Sequence, residues 1–436
     1  MSADASTPSL LQPGVQRREV WAWAMYDFAN SGYTTVVLTA VFNSYFVGVV
    51  AGGAEWATFA WTLVIAASSL VVMLTMPAIG AYADLHARKK SLLATSTAAC
   101  VAGTAALGLA GGGDLRIAVA AMLVSNVCYS YGESLTAAFL PELARADSMG
   151  RVSGWGWSFG YFGGMLSLGL CLAYVLSAQA RGVPATQFVP VTMWITAAVY
   201  GIASLATFAL LRERAVPDAA AEREPGLSGA LRQLARTARR ARSFRDFNWL
   251  LACAVFYQAG IAVVVALAAV YAEQALGFKQ AQTMLLVFLV NIAAALGAFA
   301  FGYWQDRIGH KPALGITLAG WIVMAALAYL SDGPALFWAA AVIAGLCMGS
   351  SQSAGRAMAG VFAPPAQRAE FYGLWTFATR LSAILGPLTY GAVTWATGGN
   401  HRLAILSTAV FFVLGLVLLV PVDVRRGQAA AEAASG

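Results

Sequence analysis

Charged residues are scarce in this sequence. Asp, Glu, Lys and Arg make up 11% of its 436 residues, whereas hydrophobic residues make up 59% and the mean hydropathy is +0.69. An ordinary soluble domain is about a quarter charged, because its surface must be solvated by water. The shortage of charge therefore excludes a water-soluble globular protein and makes lipid the solvent for most of the chain.

The residues of catalytic and metal sites are also few or poorly placed for chemistry. The three histidines lie in polar segments between apolar runs, and the five cysteines lie inside apolar runs with no CxxC spacing. Neither a Gly-x-x-x-x-Gly-Lys-Ser/Thr phosphate loop nor a His-Glu-x-x-His motif occurs. These absences argue against a metal centre, an ATP-driven pump and a hydrolase. We therefore predict a protein that is not an enzyme and that needs no cofactor or metal.

Long apolar runs are what the sequence has in excess. Twelve can be counted, each of about the 20 residues that an α-helix needs to cross a bilayer. The first nineteen residues are polar and the first run is too long for a signal-peptide core, so we expect that run to be retained. The predicted segments are 20–50, 57–83, 91–111, 115–140, 152–178, 188–211, 247–276, 281–304, 312–330, 335–362, 371–397 and 402–421.

Lysine and arginine are distributed unevenly between the loops. When the segments are threaded alternately through a membrane, 21 of the 27 basic residues fall on the side of both termini and four on the other. Because positively charged loops stay in the cytosol, this bias predicts a multi-pass protein of the inner cell membrane with both termini cytosolic. Positive charge at helix ends also argues against a nucleic-acid partner, despite the net charge of +7. We expect a monomer whose partners are membrane lipid, a small-molecule solute and, for coupled transport, protons.

One long polar segment, residues 212–246, separates six apolar runs from six. Between Leu227 and Ala241, leucine and alanine recur at spacings of three and four among arginines, as in a basic amphipathic helix on an anionic leaflet. A disordered charged tether explains the same composition, so both interpretations stay open. The predicted organisation is a tail at 1–19, a six-helix bundle at 20–211, the linker at 212–246, a second bundle at 247–421 and a tail at 422–436.

The two halves share a repeated loop. Residues 80–90 read GAYADLHARKK and residues 302–311 read GYWQDRIGHK, so each places a glycine four residues before an aspartate that precedes a basic cluster. The aspartates are 222 residues apart, and a matching offset elsewhere in the halves indicates duplicated six-helix units with a path between them. The predicted gating residues are Gly80, Asp84, Arg88, Gly302, Asp306 and Arg307.

This loop resembles the signature of the major facilitator superfamily, found between helices two and three and again between helices eight and nine. The resemblance implies an all-α membrane protein of twelve transmembrane helices in two pseudo-symmetric six-helix bundles. The aspartate would accept hydrogen bonds from a neighbouring helix N-terminus and the cations would pair across the cytosolic mouth, latching one conformation shut. Because Leu85 and Ala87 stand where Arg and Gly are usual, we expect a weaker latch in the first half.

Three further stretches are similar to the autophagy-related vacuolar amino-acid effluxer family, whose bacterial members are major facilitators. They are WAWAMYDFANSGYTTVV at 21–37, FLPELARADSMGRVSGWGWSFGYFGG at 139–164 and FAPPAQRAEFYGLW at 362–375. The likeness implies the twelve-helix fold and an amino-acid-like solute, although kinship of fold does not fix the cargo. A lipid-translocating protein or a polytopic membrane protein that transports nothing is the alternative.

Four ionisable residues fall inside predicted membrane segments, where charge is costly and usually functional. Asp27, Glu133, Arg356 and Arg380 each lie six to nine residues from the predicted cytosolic end of their segment. At 1.5 Å per residue this is a depth of about 10 to 14 Å, so we expect the four side chains to share one layer.

Polar residues accompany these charges at helical spacing, and lipid would not tolerate such stripes. We therefore expect the stripes to face a central cavity, which in the facilitator fold is lined by helices one, four, seven and ten. The further solute or proton candidates are Asn30 and Gln352, and the further cavity-lining candidates are Thr34, Asn126, Tyr129, Trp157 and Gln258.

Two roles are open for the four charges. In the first, Arg356 and Arg380 bind a substrate carboxylate while Asp27 or Glu133 carries a coupling proton. In the second, two acids and two bases form a neutral network that closes the cytosolic gate and touches no substrate. Equal depth on one side of the membrane suits either role.

Overall fold

The computed structural model describes residues 10–217, 243–276, 280–331, 333–398 and 401–434, with residues 232, 235, 236 and 239 of the linker. Twelve long helices within these ranges are followed by a shorter one, and each predicted apolar segment overlaps one of the twelve. The predicted fold class is confirmed. The helices are α1 Arg17–Gly32, α2 Ala57–Leu85, α3 Lys89–Leu107, α4 Leu115–Ala137, α5 Met149–Ala180, α6 Ala185–Leu210, α7 Arg245–Leu276, α8 Gln280–Ile308, α9 His310–Tyr329, α10 Pro334–Phe362, α11 Arg368–Ala396, α12 His401–Leu419 and α13 Val424–Ala433.

Lipid explains why these runs form helices. A helix satisfies every backbone N–H and C=O internally, which a bilayer requires because it offers no water to bond them. Among the described residues, ten helical spans are long and apolar enough to cross a membrane on length and composition. The chain is accordingly a multi-pass integral membrane protein.

The first membrane segment departs from a regular helix. α1 ends at Gly32 and continues as a π-helix at Tyr33–Ala40, a short turn at Phe42–Tyr45 and a second π-helix at Phe46–Val50. Wide turns of this kind are rare and often mark functional regions. The apolar pattern predicted the span but not this irregularity.

Both described ends of the chain lie on one face of the bundle, which we call the terminal face. Near the first end, Nη2 of Arg214 donates to Oε1 of Glu19 in α1 over 2.8 Å. At the other end, Arg426 of α13 donates from Nε and Nη2 to the two carboxylate oxygens of Asp246 over 2.7 and 2.6 Å. Because Asp246 lies in the first turn of α7, this pair fixes α13 beneath the second six-helix bundle.

The two bundles, α1–α6 and α7–α12, meet through α5 against α8 and α2 against α11 toward the terminal face. Gly154 of α5 is an example: a Cβ there would overlap the backbone carbonyl of Ala298 in α8. Only glycine lets the helices approach this closely. The domain bounds stay a prediction, and the amphipathic pattern from Leu227 to Ala241 lies almost wholly outside the described residues.

Candidate functional site

Asp27 of α1 and Arg356 of α10 form an ion pair between the two bundles. Nη1 of Arg356 donates to Oδ2 of Asp27 over 2.6 Å, and the two side chains are 8% and 13% exposed respectively. Local sequence explains where Arg356 stands, because α10 begins at Pro334 and ends just before Ala363-Pro364, where proline disfavours further helix. Both residues are among the four intramembrane charges that the sequence placed in one layer.

Ser153 of α5 fixes the remainder of the Arg356 guanidinium. Its Oγ accepts from Nε of Arg356 over 3.1 Å and its carbonyl oxygen accepts from Nη2 over 2.7 Å. A Cβ on Gly156, one turn along α5, would lie 2.6 Å from Nη2 of Arg356 and 2.5 Å from Oδ2 of Asp27. Glycine at this position therefore allows the ion pair to rest against the α5 backbone.

Two tryptophan rings enclose the same guanidinium. Its Cζ lies 4.8 Å from the ring centroid of Trp23 and 5.3 Å from that of Trp157, distances at which a cation is attracted to an aromatic face. Nε1 of Trp23 donates to the carbonyl of Thr136 over 2.8 Å, whereas Nε1 of Trp157 is buried and has no hydrogen-bond partner in the structure. Arg356 is thus fully engaged by the first bundle.

Tyr372 of α11 extends this network within the second bundle. Its hydroxyl donates to the carbonyl of Arg356 over 2.8 Å, and its own carbonyl accepts from Oγ of Ser134 in α4 over 3.1 Å. Sequence reasoning missed Ser153, Tyr372 and Trp23. Ser153 stands next to the glycine-rich stretch of α5, and that stretch was the available signal of a close approach.

Glu133 of α4 and Arg380 of α11 form the second pair, and its surroundings differ. Nη2 of Arg380 donates to Oε2 of Glu133 over 3.0 Å, while the Glu133 side chain is 41% exposed and that of Arg380 17%. Nε of Arg380 is buried without a hydrogen-bond partner, and an unmet donor of this kind is costly. The four intramembrane charges thus form two ion pairs, each of which joins the two bundles.

The polar candidates of the second bundle bond each other, and those of α1 lie close to Asp27 in sequence. Nε2 of Gln258 in α7 donates to Oε1 of Gln352 in α10 over 2.7 Å, so these two candidates are brought together. Asn30 is buried, one turn from Asp27, and the Thr34 hydroxyl donates to the carbonyl of Ser31 over 2.9 Å.

Two candidates on α4 lie inside the first bundle. Nδ2 of Asn126 donates to Oγ of Ser68 in α2 over 2.5 Å, and the side chain is buried. Tyr129 stacks on Tyr33 with ring centroids 5.0 Å apart. In this conformation both residues join helices of one bundle and do not take part in the ion pairs.

The first copy of the repeated loop contacts the second bundle through Asp84. Its Oδ2 accepts from the backbone N–H of Glu370, in the first turn of α11, over 2.9 Å. The cation beside it is Lys89, whose Nζ lies 3.8 Å from Asp84 and forms a tight ion pair with Glu142. Arg88, which the sequence assigned to this latch, is exposed.

The second copy works in the same way. Asp306 accepts from the backbone N–H groups of Gly150 and Arg151, at the start of α5, over 2.9 and 3.2 Å, and from Nε of Arg151 over 2.7 Å. Arg307 is exposed, so the assignment of this residue as the paired cation is corrected to Arg151. In both copies the aspartate is placed as the sequence predicted, but the cation it meets is another residue.

Within the described part of the chain, no group of three or more His, Cys, Asp or Glu residues is placed to hold a metal ion. The described chemistry of the site is therefore that of paired charges, amides and aromatic rings.

Comparison with known proteins agrees with this architecture. A protein described as an uncharacterized MFS-type transporter, YxiO of Bacillus subtilis (strain 168), is 26% identical over 404 residues, covering 91% of this chain and 93% of the relative. The human organic anion transporter MFSD10 superposes with a TM-score of 0.71 at 15% identity, covering 94% of this chain and all of that one. The proton:xylose symporter XylE superposes with a TM-score of 0.70 at 15% identity, covering 92% of this chain and 94% of that one.

The two solved structures carry different cargoes, so their likeness shows the major facilitator fold alone. The family model described as "Vacuole effluxer Atg22 like" matches residues 15–432, nearly the whole chain. This chain therefore belongs to the Atg22-like family of major facilitator transporters and is not an enzyme.

Proposed function

We propose that this protein is a proton-coupled secondary transporter of the cell membrane that moves a small, polar, carboxylate-bearing solute of amino-acid type by alternating access. The description of its family as effluxers and of its bacterial relative as an MFS-type transporter supports transport. The observation that carries the solute class is the Glu133–Arg380 pair, which joins the two bundles and is partly open to solvent inside a membrane-spanning layer.

The two ion pairs have different roles in this proposal. Asp27–Arg356 is a clamp, because Ser153 and two tryptophan rings already satisfy the guanidinium. Arg380 keeps one donor without a partner, so it is the cation that receives a solute carboxylate by charge-assisted hydrogen bonds. Glu133, the more exposed acid, then loses its partner and takes up the coupling proton.

The latches supply the alternating step. Asp84 and Asp306 join the bundles at the terminal face, so the present conformation is closed there. Opening on that side requires both aspartates to release the helix N-termini they bond. The excess of basic residues on the terminal face supports a cytosolic location for it, so we infer that the solute site faces the external side in this conformation.

A substitution of Glu133 tests the coupling. In proteoliposomes, Glu133→Gln is expected to keep exchange of internal for external solute but to lose accumulation driven by a pH gradient. Glu55→Gln, in the exposed loop before α2, is the matched control and should behave as the wild type. Retention of gradient-driven accumulation by Glu133→Gln would assign Glu133 to gating and remove it from coupling.

A substitution of Arg380 tests the solute class. A thermal-shift screen of amino acids, peptides and sugars identifies a stabilising solute, and Arg380→Met should abolish that stabilisation while Arg380→Lys retains part of it. If sugars or lipids stabilise the protein and carboxylate-bearing solutes do not, the proposed class is wrong. Orientation is tested separately: a cysteine at Asp147 should resist an impermeant maleimide added outside intact cells.

A further inference from the structure

The chain that leaves α6 crosses the terminal face without forming a helix and bonds several elements of the first bundle. Lys90 donates from Nζ to the carbonyl of Leu211 over 2.6 Å. Arg214 donates from its backbone N–H to Glu142 over 3.3 Å and from Nη2 to Glu19 over 2.8 Å. This segment, residues 211–217, is the beginning of the linker, and it is held against the latch region by these bonds.

Glu213 within this segment caps another helix. Its Oε1 accepts from the backbone N–H of Lys89 over 2.6 Å and its Oε2 from that of Lys90 over 3.1 Å. These are the first two residues of α3, and Arg88, the residue that precedes them, provides no side-chain cap. A helix N-terminus has free N–H groups and a positive dipole, so a carboxylate at that position stabilises it. Glu213 therefore supplies the cap from 124 residues further along the chain.

The capped turn carries the cation of the first latch. Lys89 is only 1% exposed, and its Nζ lies between Asp84 and Glu142. Both acids contact the second bundle. Asp84 accepts a hydrogen bond from the backbone N–H of Glu370, and a carboxylate oxygen of Glu142 lies 4.0 Å from Nη1 of Arg368. The position of the α3 N-terminus thus sets the position of Lys89. Lys89 in turn holds Asp84 and Glu142 where they contact the start of α11.

We propose that Glu213 is a positioning residue of the gate: by capping α3 it holds Lys89 between Asp84 and Glu142 and thereby favours the conformation closed at the terminal face. Glu213 bonds α3, and Arg214 bonds Glu142 and Glu19, with further bonds to Gly14 and Arg212. The effect of the cap on the second bundle therefore passes through Lys89 and the two acids beside it. This inference rests on the alternating access proposed above, and it gives the start of the linker a part in the gate.

The test measures the two conformations directly. Spin labels are placed on cysteines at Asp147 and Arg307, which are exposed on the terminal face in different bundles. Four of the five native cysteines are buried, which limits background labelling. Glu213→Ala should raise the ratio of the long-distance to the short-distance population by up to about five-fold, the limit reached when the full free energy of one helix cap is available only in the closed conformation. Glu432→Ala, on the exposed side of α13 at the same face, is the control and should leave the distribution unchanged.

A double variant separates positioning from a general loss of stability. Lys89→Met should shift the distribution in the same direction, and Glu213→Ala added to Lys89→Met should shift it no further, because both act through one contact. An unchanged distribution in Glu213→Ala, no effect of Lys89→Met, or additive effects in the double variant would each overturn the proposal. Should Glu213→Ala not fold, Glu213→Gln can be used, because it keeps one acceptor oxygen. It is expected to change the free-energy difference between the two conformations by about half as much.

The measurement is independent of solute transport. If the distances respond as expected while no carboxylate-bearing solute is moved, the proposed solute class fails and the role of Glu213 stands. If a carboxylate-bearing solute is moved and the distances do not respond to Glu213→Ala, the role of Glu213 fails and the proposed solute class stands.

Discussion

Asp84 of α2 and Asp306 of α8 occupy equivalent positions in the two bundles, and each accepts a backbone N–H from the first turn of a helix in the other bundle. Asp84 meets Glu370 at the start of α11, and Asp306 meets Gly150 at the start of α5. A buried carboxylate at a helix N-terminus is stabilised by the free N–H groups and by the helix dipole. The two contacts are therefore a matched pair of latches across the interface.

The second latch has more bonds than the first, so we expect its loss to have the larger effect. Asp306→Ala removes charge-assisted bonds from two N–H groups and Arg151 and should weaken the closed state by about 1.5 to 3 kcal/mol. Asp84→Ala should weaken it less. The measurement is the alkylation rate of a cysteine at Ala298, which is buried where α8 meets α5.

Asp114→Asn, at the start of α4 on the opposite face, is the control for both latch variants and should not change that rate. Equal rates for wild type and Asp306→Ala would mean that this contact does not hold the face closed.

The Asp27–Arg356 clamp is expected to be stabilising only as a pair. Asp27→Leu or Arg356→Met alone leaves one buried charge without its partner, which costs about 3 to 5 kcal/mol. The double variant removes both charges and should recover most of the thermal stability of the wild type. Unfolding midpoints of the purified variants provide the measurement, and a double variant no more stable than the singles would show that other contacts of Arg356 dominate.

Gly154 makes a specific prediction about the interface. Gly154→Val places a side chain where the carbonyl of Ala298 lies, so it should force α5 and α8 apart and populate the conformation open at the terminal face. Gly169→Val on the same helix is the control, since a Cβ there meets nothing within 4 Å. Spin-label distances between positions 147 and 307 should lengthen for the first variant only, and equal distances in the two variants would contradict the prediction.

Arg426 is expected to hold the C-terminal helix in place. The carboxylate of Asp246 raises the pKa of Arg426 through their hydrogen bonds. A guanidinium is charged at any physiological pH, so the ion pair persists throughout that range. Arg426→Met should release α13 and increase proteolysis of the C-terminus several-fold. Arg425→Met, at the exposed neighbouring residue, should not, and similar digestion of the two variants would rule out the anchoring role.

The sequence predicted some features of the site and missed others for identifiable reasons. It identified Asp27, Glu133, Arg356 and Arg380, because an ionisable group in lipid stands out against its neighbours. It could not choose which acid meets which base, since that depends on how helices far apart in sequence are rotated and placed. It named Arg88 and Arg307 as latch cations, whereas Lys89 and Arg151 are the cations beside the two aspartates. Lys89 follows Arg88 directly, and successive helical residues point about 100° apart. Arg151 comes from α5 of the other bundle, so only the packing of the two bundles brings it to Asp306.

Composition and the apolar runs by themselves determined the lipid environment and the twelve helices, because the bilayer imposes a length and an apolarity on every crossing segment. Only the tertiary structure decided that Ser153 and two tryptophan rings bind Arg356, that Glu133 stays partly exposed, and that Glu213 caps α3 from outside that helix. These contacts join residues as distant in sequence as Trp23 and Arg356. They arise from the packing of one helix face against another, which no local pattern of residues encodes.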